Sequence, residues 1–158
     1  MPETRVGLGF DVHPPDDARE LALAGVRFRG EPGLAGHSDA DVACHALADA
    51  LLGAAGLGDL GTHFPESDSA YEGIRGLDLL TRTVAILKDG GWQAVGCDLT
   101  VIAERPALAP RRDEMRANLA TALGVPPSRV SIKATRPEGL GLAGDGVGCL
   151  ALAQIETP

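Results

Sequence analysis

The spacing of apolar and polar positions changes period along this chain. From Arg5 to His13, Val6, Leu8, Phe10 and Val12 alternate with Gly7, Gly9, Asp11 and His13. A period of two predicts a strand with Asp11 and His13 on one face. The two glycines leave that face bare, so another backbone or a ligand can come close, and Pro14-Pro15 stop the strand. Glu20 to Arg29 reads as a short hairpin excursion around Gly25. The period then lengthens: Val42, Ala43, Ala46, Leu47, Ala50, Leu51 and Ala54 recur at helical spacing and predict a buried stripe. This first helix is expected to start at Ser38 or Asp39, either a competent N-cap, and to end near Gly56 and Gly58. A polar loop follows from Gly58 to Asp68, then a second helix over Leu77 to Asp89, closed by Gly90-Gly91. Asp98 to Ala103 alternates as a strand. Pro110 suits the first turn of a third helix that stops at Gly124, and Val130 to Thr135 and Gly148 to Glu156 supply the last strands.

This order predicts an α+β fold: a small mixed β-sheet in a single domain over 1–158, with helices packed on one face. The other sheet face needs cover, and self-association is the simplest way to supply it. Aromatic residues make up 3% of the 158 positions, so Ala, Gly, Leu and Val must fill the interior and packing must be close. A chain of this length can bury a sizeable core. The net charge of −8, without a basic run, argues against a nucleic-acid partner. Cys44, Cys97 and Cys149 are far apart and odd in number, which fits reduced core thiols in the cytosol. No signal-like segment or membrane-length apolar run is apparent, so a cytoplasmic protein without a membrane partner is expected.

The candidate chemistry begins with Asp11, His13 and His45. If the first helix packs on the first strand by its apolar stripe, His45 reaches the other two. The trio then makes a divalent-metal site with one coordination position open, as catalytic sites require. A hydrogen-bonded core histidine is the alternative. Asp41, His45 and Asp49 form a row at four-residue spacing, which makes Asp49 a candidate to orient the His45 ring. His37-Ser38, placed at the helix start, suits an anion, although Ser38 is equally an ordinary cap. Asp59, in Gly58-Asp59-Leu60-Gly61, can face a polyol or simply shape a turn. The proline-rich Glu104 to Pro110 follows a strand and can present backbone groups to a flat ring, or serve as a connector. Thr135, Arg136 and Glu138 place a hydroxyl, a cation and a carboxylate within four residues, a mixture suited to a diphosphate and an oxygen-loving cation. The following glycines lack Walker spacing.

Taken together, Phe10-Asp11-Val12-His13, Ala35 to Val42, Cys44-His45-Ala46-Leu47, Gly58 to Gly61, Phe64-Pro65-Glu66-Ser67-Asp68 and Lys133-Ala134-Thr135 resemble the 2-C-methyl-D-erythritol 2,4-cyclodiphosphate synthase family. The resemblance runs over essentially the whole chain, in order. It implies a homotrimer with active sites between subunits, and Zn2+ on Asp11, His13 and His45. It further implies phosphate contacts from His37 and Ser38, and a substrate surface that includes Asp11, Val12 and His13. Asp59, Leu60 and Gly61, with Phe64, Pro65, Glu66, Ser67 and Asp68, would line the erythritol side. Ala103, Glu104, Arg105, Pro106, Ala107, Leu108 and Ala109 would cradle cytosine. Thr135, Arg136, Pro137 and Glu138 would hold the diphosphate, with Glu138 on Mg2+ or Mn2+. The implied reaction is an intramolecular phosphoryl transfer that closes a cyclic diphosphate and expels CMP, in the non-mevalonate route to isoprenoids. His37 and Arg136 are the catalytic candidates.

Some positions depart from the pattern. Arg136 and Pro137 stand where threonines are common, Ala107 where lysine is frequent, and Leu142 and Asp145 where some members carry phenylalanine and arginine. Two other readings of the same residues are a metal-dependent phosphohydrolase and a non-catalytic nucleotide-binding trimer.

Overall fold

The computed structural model describes residues 1–158. Strand β1 (Thr4–His13) is followed by a hairpin, β2 (Pro15–Leu23) and β3 (Val26–Leu34), then helix α1 (Val42–Ala55), a single turn α2 (Leu60–His63) and helix α3 (Gly76–Asp89). Strand β4 (Gln93–Ile102), helix α4 (Arg112–Leu123), strand β5 (Val130–Thr135) and strand β6 (Val147–Glu156) complete the order. The main sheet runs β1-β6-β4-β5, and only β4 and β5 are parallel. It is a mixed sheet, as the sequence predicts. The hairpin forms a separate two-stranded sheet. No helix is long and apolar enough to cross a membrane.

The helices lie on one face of the main sheet. Cys149, Ala151, Ala153 and Ile155 of β6, Leu99 and Val101 of β4, and Ile132 of β5 are buried beneath them. On β1 the inward residues are Gly7 and Gly9. A Cβ at Gly7 would stand 2.0 Å from Ala50 O, and one at Gly9 would stand 1.9 Å from Ala46 O. Their Cα hydrogens therefore face the carbonyls of α1, a weakly attractive contact, and α1 lies almost backbone to backbone on β1. The small side chains of α1 at Ala46, Ala50 and Ala54 make this possible. The apolar members of β1 point the other way: Val6 is 59% and Leu8 69% exposed, beside Phe10, Val12, Leu150 and Leu152.

Several boundaries differ from the sequence expectation. Helix α1 starts at Val42 with Asp41, not Ser38 or Asp39, as N-cap. Ala40 sits in the left-handed region at φ 57°, which keeps residues 38–40 out of the helix. Asp41 Oδ1 accepts from Cys44 N at 3.1 Å and from Ala24 N at 2.9 Å, while Oδ2 accepts from Gly25 N at 2.8 Å. One buried carboxylate thus caps the helix and ties the hairpin turn to it. The hairpin spans Pro15 to Leu34 and is longer than the Glu20–Arg29 excursion. Strand β4 begins at Gln93 rather than Asp98. Pro110 falls in a 3-10 turn over Ala109–Arg111, ahead of α4. Cys44, Cys97 and Cys149 are free and buried, and burial pushes the Cys97 thiol up to about 12.

Candidate metal centre

Pairing with β6 fixes the end of β1, where Asp11 opposes Cys149 and His13 opposes Val147. Because Asp11 and His13 continue the glycine face, both turn toward α1. His45, one turn into α1 and buried, meets them there. Asp11 Oδ2 lies 3.1 Å from His13 Nε2 and 3.2 Å from His45 Nδ1, and the ligand atoms of all three residues fall within 4.8 Å of one another. Tetrahedral bonds of about 2.0–2.1 Å put neighbouring ligand atoms roughly 3.3 Å apart, so the spacing fits a metal ion. Two imidazoles and one carboxylate leave a fourth position open.

Each histidine is also gripped from behind. His13 Nδ1 donates to Ala35 O at 2.7 Å, which turns Nε2 toward Asp11. His45 Nε2 faces Ser38 Oγ at 3.1 Å. Such outer contacts fix ring orientation at metal sites. Asp49 does not take this part. Its Oδ1 accepts from Leu60 N at 3.1 Å and caps α2, while both nitrogens of His45 are engaged by Asp11 and Ser38. Burial pushes the Asp11 carboxyl up, but hydrogen bonds from His13 and His45 and their nearby charge outweigh it and hold it well below the usual carboxylate range. The hydrogen bond to Asp11 raises the His13 imidazole above its ordinary value, against burial, which lowers it.

The trio opens into a cleft of about 280 Å³, lined also by His37, Ser38, Leu60, Gly61, Phe64 and Glu66. His37 Nε2 is buried there with no protein partner. His37 and Ser38 precede α1 by several residues, so its N-terminal amides are not what they offer. The Cys44 amide is already taken by Asp41. The remaining wall is Tyr71, Ile74 and Leu79, none of which the sequence reading had singled out. Tyr71 stands edge-on to Phe64, with centroids 5.3 Å apart.

Other predicted residues lie elsewhere. The Val12 side chain projects from the opposite, apolar face of β1. Asp59 is exposed and its Oδ1 caps α2 through Thr62 N at 3.0 Å. Pro65, Ser67 and Asp68 form the rim turn, where Asp68 Oδ1 accepts from Ala70 N at 2.9 Å. Ala103 to Ala109 and Thr135 to Glu138 leave the ends of β4 and β5 together, joined by Ala103 N to Thr135 O at 3.1 Å. Glu104 and Pro137 share a shallow hollow with Leu140 and Asp145. The strands they leave are separated from β1 by β6, and for β5 by β4 as well, and neither segment lines the cleft within a single chain.

Fold and site define an α+β protein in which Asp11, His13 and His45 form a group able to hold a metal ion at an apolar-walled cleft. The sequence profile of the YgbB family matches residues 4–157, and the chain belongs to that family. It is 53% identical over 152 residues to the 2-C-methyl-D-erythritol 2,4-cyclodiphosphate synthase of Symbiobacterium thermophilum, covering 95% of this chain and 97% of that one. It is 51% identical over 151 residues to the bifunctional enzyme IspD/IspF of Anaeromyxobacter dehalogenans, covering 94% of this chain but 39% of that one. The chain thus spans nearly all of the stand-alone relative and about two fifths of the bifunctional one. Among solved structures, the bifunctional IspDF of Campylobacter jejuni superposes with a TM-score of 0.93 at 36% identity, over 100% of this chain and 43% of that chain. A 2C-methyl-D-erythritol-2,4-cyclodiphosphate synthase in its CDP-bound form superposes with a TM-score of 0.88 at 32% identity, over 96% and 99% of the two chains.

Proposed function

We propose that this chain is a phosphorus–oxygen lyase of the cytoplasm. It converts 4-diphosphocytidyl-2-C-methyl-D-erythritol 2-phosphate to 2-C-methyl-D-erythritol 2,4-cyclodiphosphate and CMP, in non-mevalonate isoprenoid biosynthesis. The observation that carries the reading is the Asp11–His13–His45 centre at the cleft mouth, in a chain 53% identical to a synthase of that name. An oxygen of the 2-phosphate bonds to the β-phosphorus, the bond from that phosphorus to the bridging oxygen breaks, and CMP leaves with the bridging oxygen. A phosphate dianion needs no general base to do this, and none is assigned.

Asp11, His13 and His45 would hold Zn2+ and Glu138 a second divalent cation, Mg2+ or Mn2+, which when bound supply Lewis acidity and neutralise phosphate charge. His37, with its buried and unsatisfied Nε2, and Ser38 contact phosphate. Arg136 brings a cation to the developing charge. Leu60, Gly61, Phe64 and the rim Pro65 to Asp68 receive the erythritol. Asp59 stands beside a sugar hydroxyl, and Val12 contributes through its backbone. The backbone of Ala103 to Ala109 takes cytosine, and Thr135, Pro137 and Glu138 frame the diphosphate. A homotrimer accounts for the separation of these two groups of residues within one chain, because a neighbouring subunit would supply the second half. The apolar side chains of β1 and β6 are the surface such an assembly would cover.

Phosphorus NMR of the protein with this substrate, zinc and magnesium, beside a His45→Ala control, tests the reading. A cyclic diphosphate with one CMP per ring, absent in the control, is expected. Orthophosphate or a linear product would assign a hydrolase instead, and an unaltered substrate spectrum from the zinc-loaded protein would reject the reaction.

A further inference from the structure

The segment Ala35–Ser38 touches both imidazoles of the metal centre, through Ala35 O on His13 and Ser38 Oγ near His45. Its rigidity therefore matters to the centre. Of its carbonyls, His37 O accepts from Gly73 N at 2.9 Å. The flanking two are held by one side chain: Arg19 Nη1 donates to Gly36 O at 2.8 Å, and Arg19 Nη2 donates to Ser38 O. The planar fork of a guanidinium suits two acceptors presented side by side.

Arg19 reaches this position through an irregularity in the hairpin. Asp16 pairs with Gly33, yet the next pair is Glu20 with Pro32. Asp17, Ala18 and Arg19 are therefore surplus residues bulged from β2. Asp16 Oδ1 accepts from Ala18 N at 3.0 Å and closes the bulge. A Cβ at Gly33 would lie 2.4 Å from Arg19 O, so only glycine lets the bulged backbone cross there. Bulges characteristically re-aim a side chain beside a functional site. This one sends Arg19 off the hairpin toward the segment that backs the histidines.

We infer that Arg19 is a positioning residue, which clamps Ala35–Ser38 so that His13 is held in its metal-facing orientation and His37 is directed into the cleft. The kinetic part of this inference rests on the reaction proposed above; the structural part does not.

The test compares Arg19→Met, which has similar length and no donors, with Arg19→Lys, which can reach one carbonyl at a time. Thermal melts by circular dichroism establish folding. Zinc affinity is read by chelator competition, the His13 Nδ1 proton by nitrogen-15 NMR of the zinc-loaded protein, and kcat and KM by CMP release. Arg19→Met is expected to bind zinc about tenfold more weakly and to lose about 10- to 100-fold in kcat, with KM moved less than about threefold. The protected His13 Nδ1 proton should disappear. Arg19→Lys should fall between Arg19→Met and the wild type. A folded Arg19→Met with wild-type zinc affinity and an intact His13 signal overturns the inference. If Arg19→Met does not fold, Arg19→Lys decides, and wild-type values there overturn it. Should the wild type give no cyclic product, the reaction is wrong, while zinc affinity and the His13 signal still settle the role of Arg19.

Discussion

Substituting Gly9 by alanine tests whether the approach of α1 to β1 sets the metal centre. The added Cβ would lie 1.9 Å from Ala46 O and 2.8 Å from Ala50 N, where real contacts do not fall below 3.0 Å. Both neighbours are helix backbone, so no rotamer change relieves the clash, and α1 must retreat by at least about 1.1 Å. Overpacking of this kind costs about 1–3 kcal/mol, occasionally more. His45 moves with α1, whereas Asp11 and His13 stay with β1. The 3.2 Å between Asp11 and His45 then opens by an amount several times the roughly 0.2 Å tolerance of a metal site. A misplacement on the order of 1 Å corresponds to about a hundredfold loss of activity. Urea unfolding by circular dichroism, zinc titration and CMP release measure the three effects. Gly53→Ala is the control: it lies in the same helix with nothing within 4 Å of its Cβ, and should stabilise by about 0.5–1 kcal/mol. A Gly9→Ala protein as stable as the wild type, with unchanged zinc affinity, would refute the reasoning.

Asp41→Asn keeps the shape but turns an amide N–H toward one of the three backbone donors now facing the carboxylate. A loss of about 1–3 kcal/mol is expected in urea unfolding, and a change below about 0.5 kcal/mol would mean that this junction is not what fixes the hairpin. For the metal-free chain, the lowered Asp11 contributes stability above the ordinary carboxylate value near 3.9, lost as pH falls through its folded value. The raised His13 contributes below about 6.5, and that contribution is lost as pH rises through its folded value. Chelated protein should therefore melt highest between roughly pH 4 and 6.5, and the gain on adding zinc should grow as pH rises through the raised folded value of His13, where the proton that zinc must displace is lost. Melting temperatures of chelated protein that keep climbing from pH 6.5 to 8 would count against this assignment.

Strand β1 and the trio were legible because their signals are local: a period of two, two glycines, and one helical turn between Asp41 and His45. The facing was less obvious. Glycines mark the buried side only because α1 comes so near, and the apolar side chains consequently point outward. Helix signals put the start of α1 at Ser38 or Asp39, both competent caps, and not at Asp41. Asp41 prevails through Ala24 and Gly25, contacts that no helix signal contains. The same holds for Asp49, whose partner is an amide of α2 and not His45 in the preceding turn of its own helix. Tyr71, Ile74 and Leu79 reach the cleft from segments whose patterns say nothing of it. Arg19 depends on three surplus residues in a hairpin, which period and propensity do not register.

The strand order β1-β6-β4-β5 also dictates a sequence of events in time. Strand β1 has only β6 beside it in the main sheet, and β6 is the last element of the chain. On the ribosome, the strand bearing Asp11 and His13 waits without a sheet neighbour until residues 147–156 emerge, more than a hundred positions later. Contacts of such long separation form slowly. Helix α1 can shelter β1 in the meantime, but the register that aligns the ligands arrives with the final strand. Metal loading is thereby tied to the emergence of β6, and a nascent chain halted short of it would carry all three ligands and no centre.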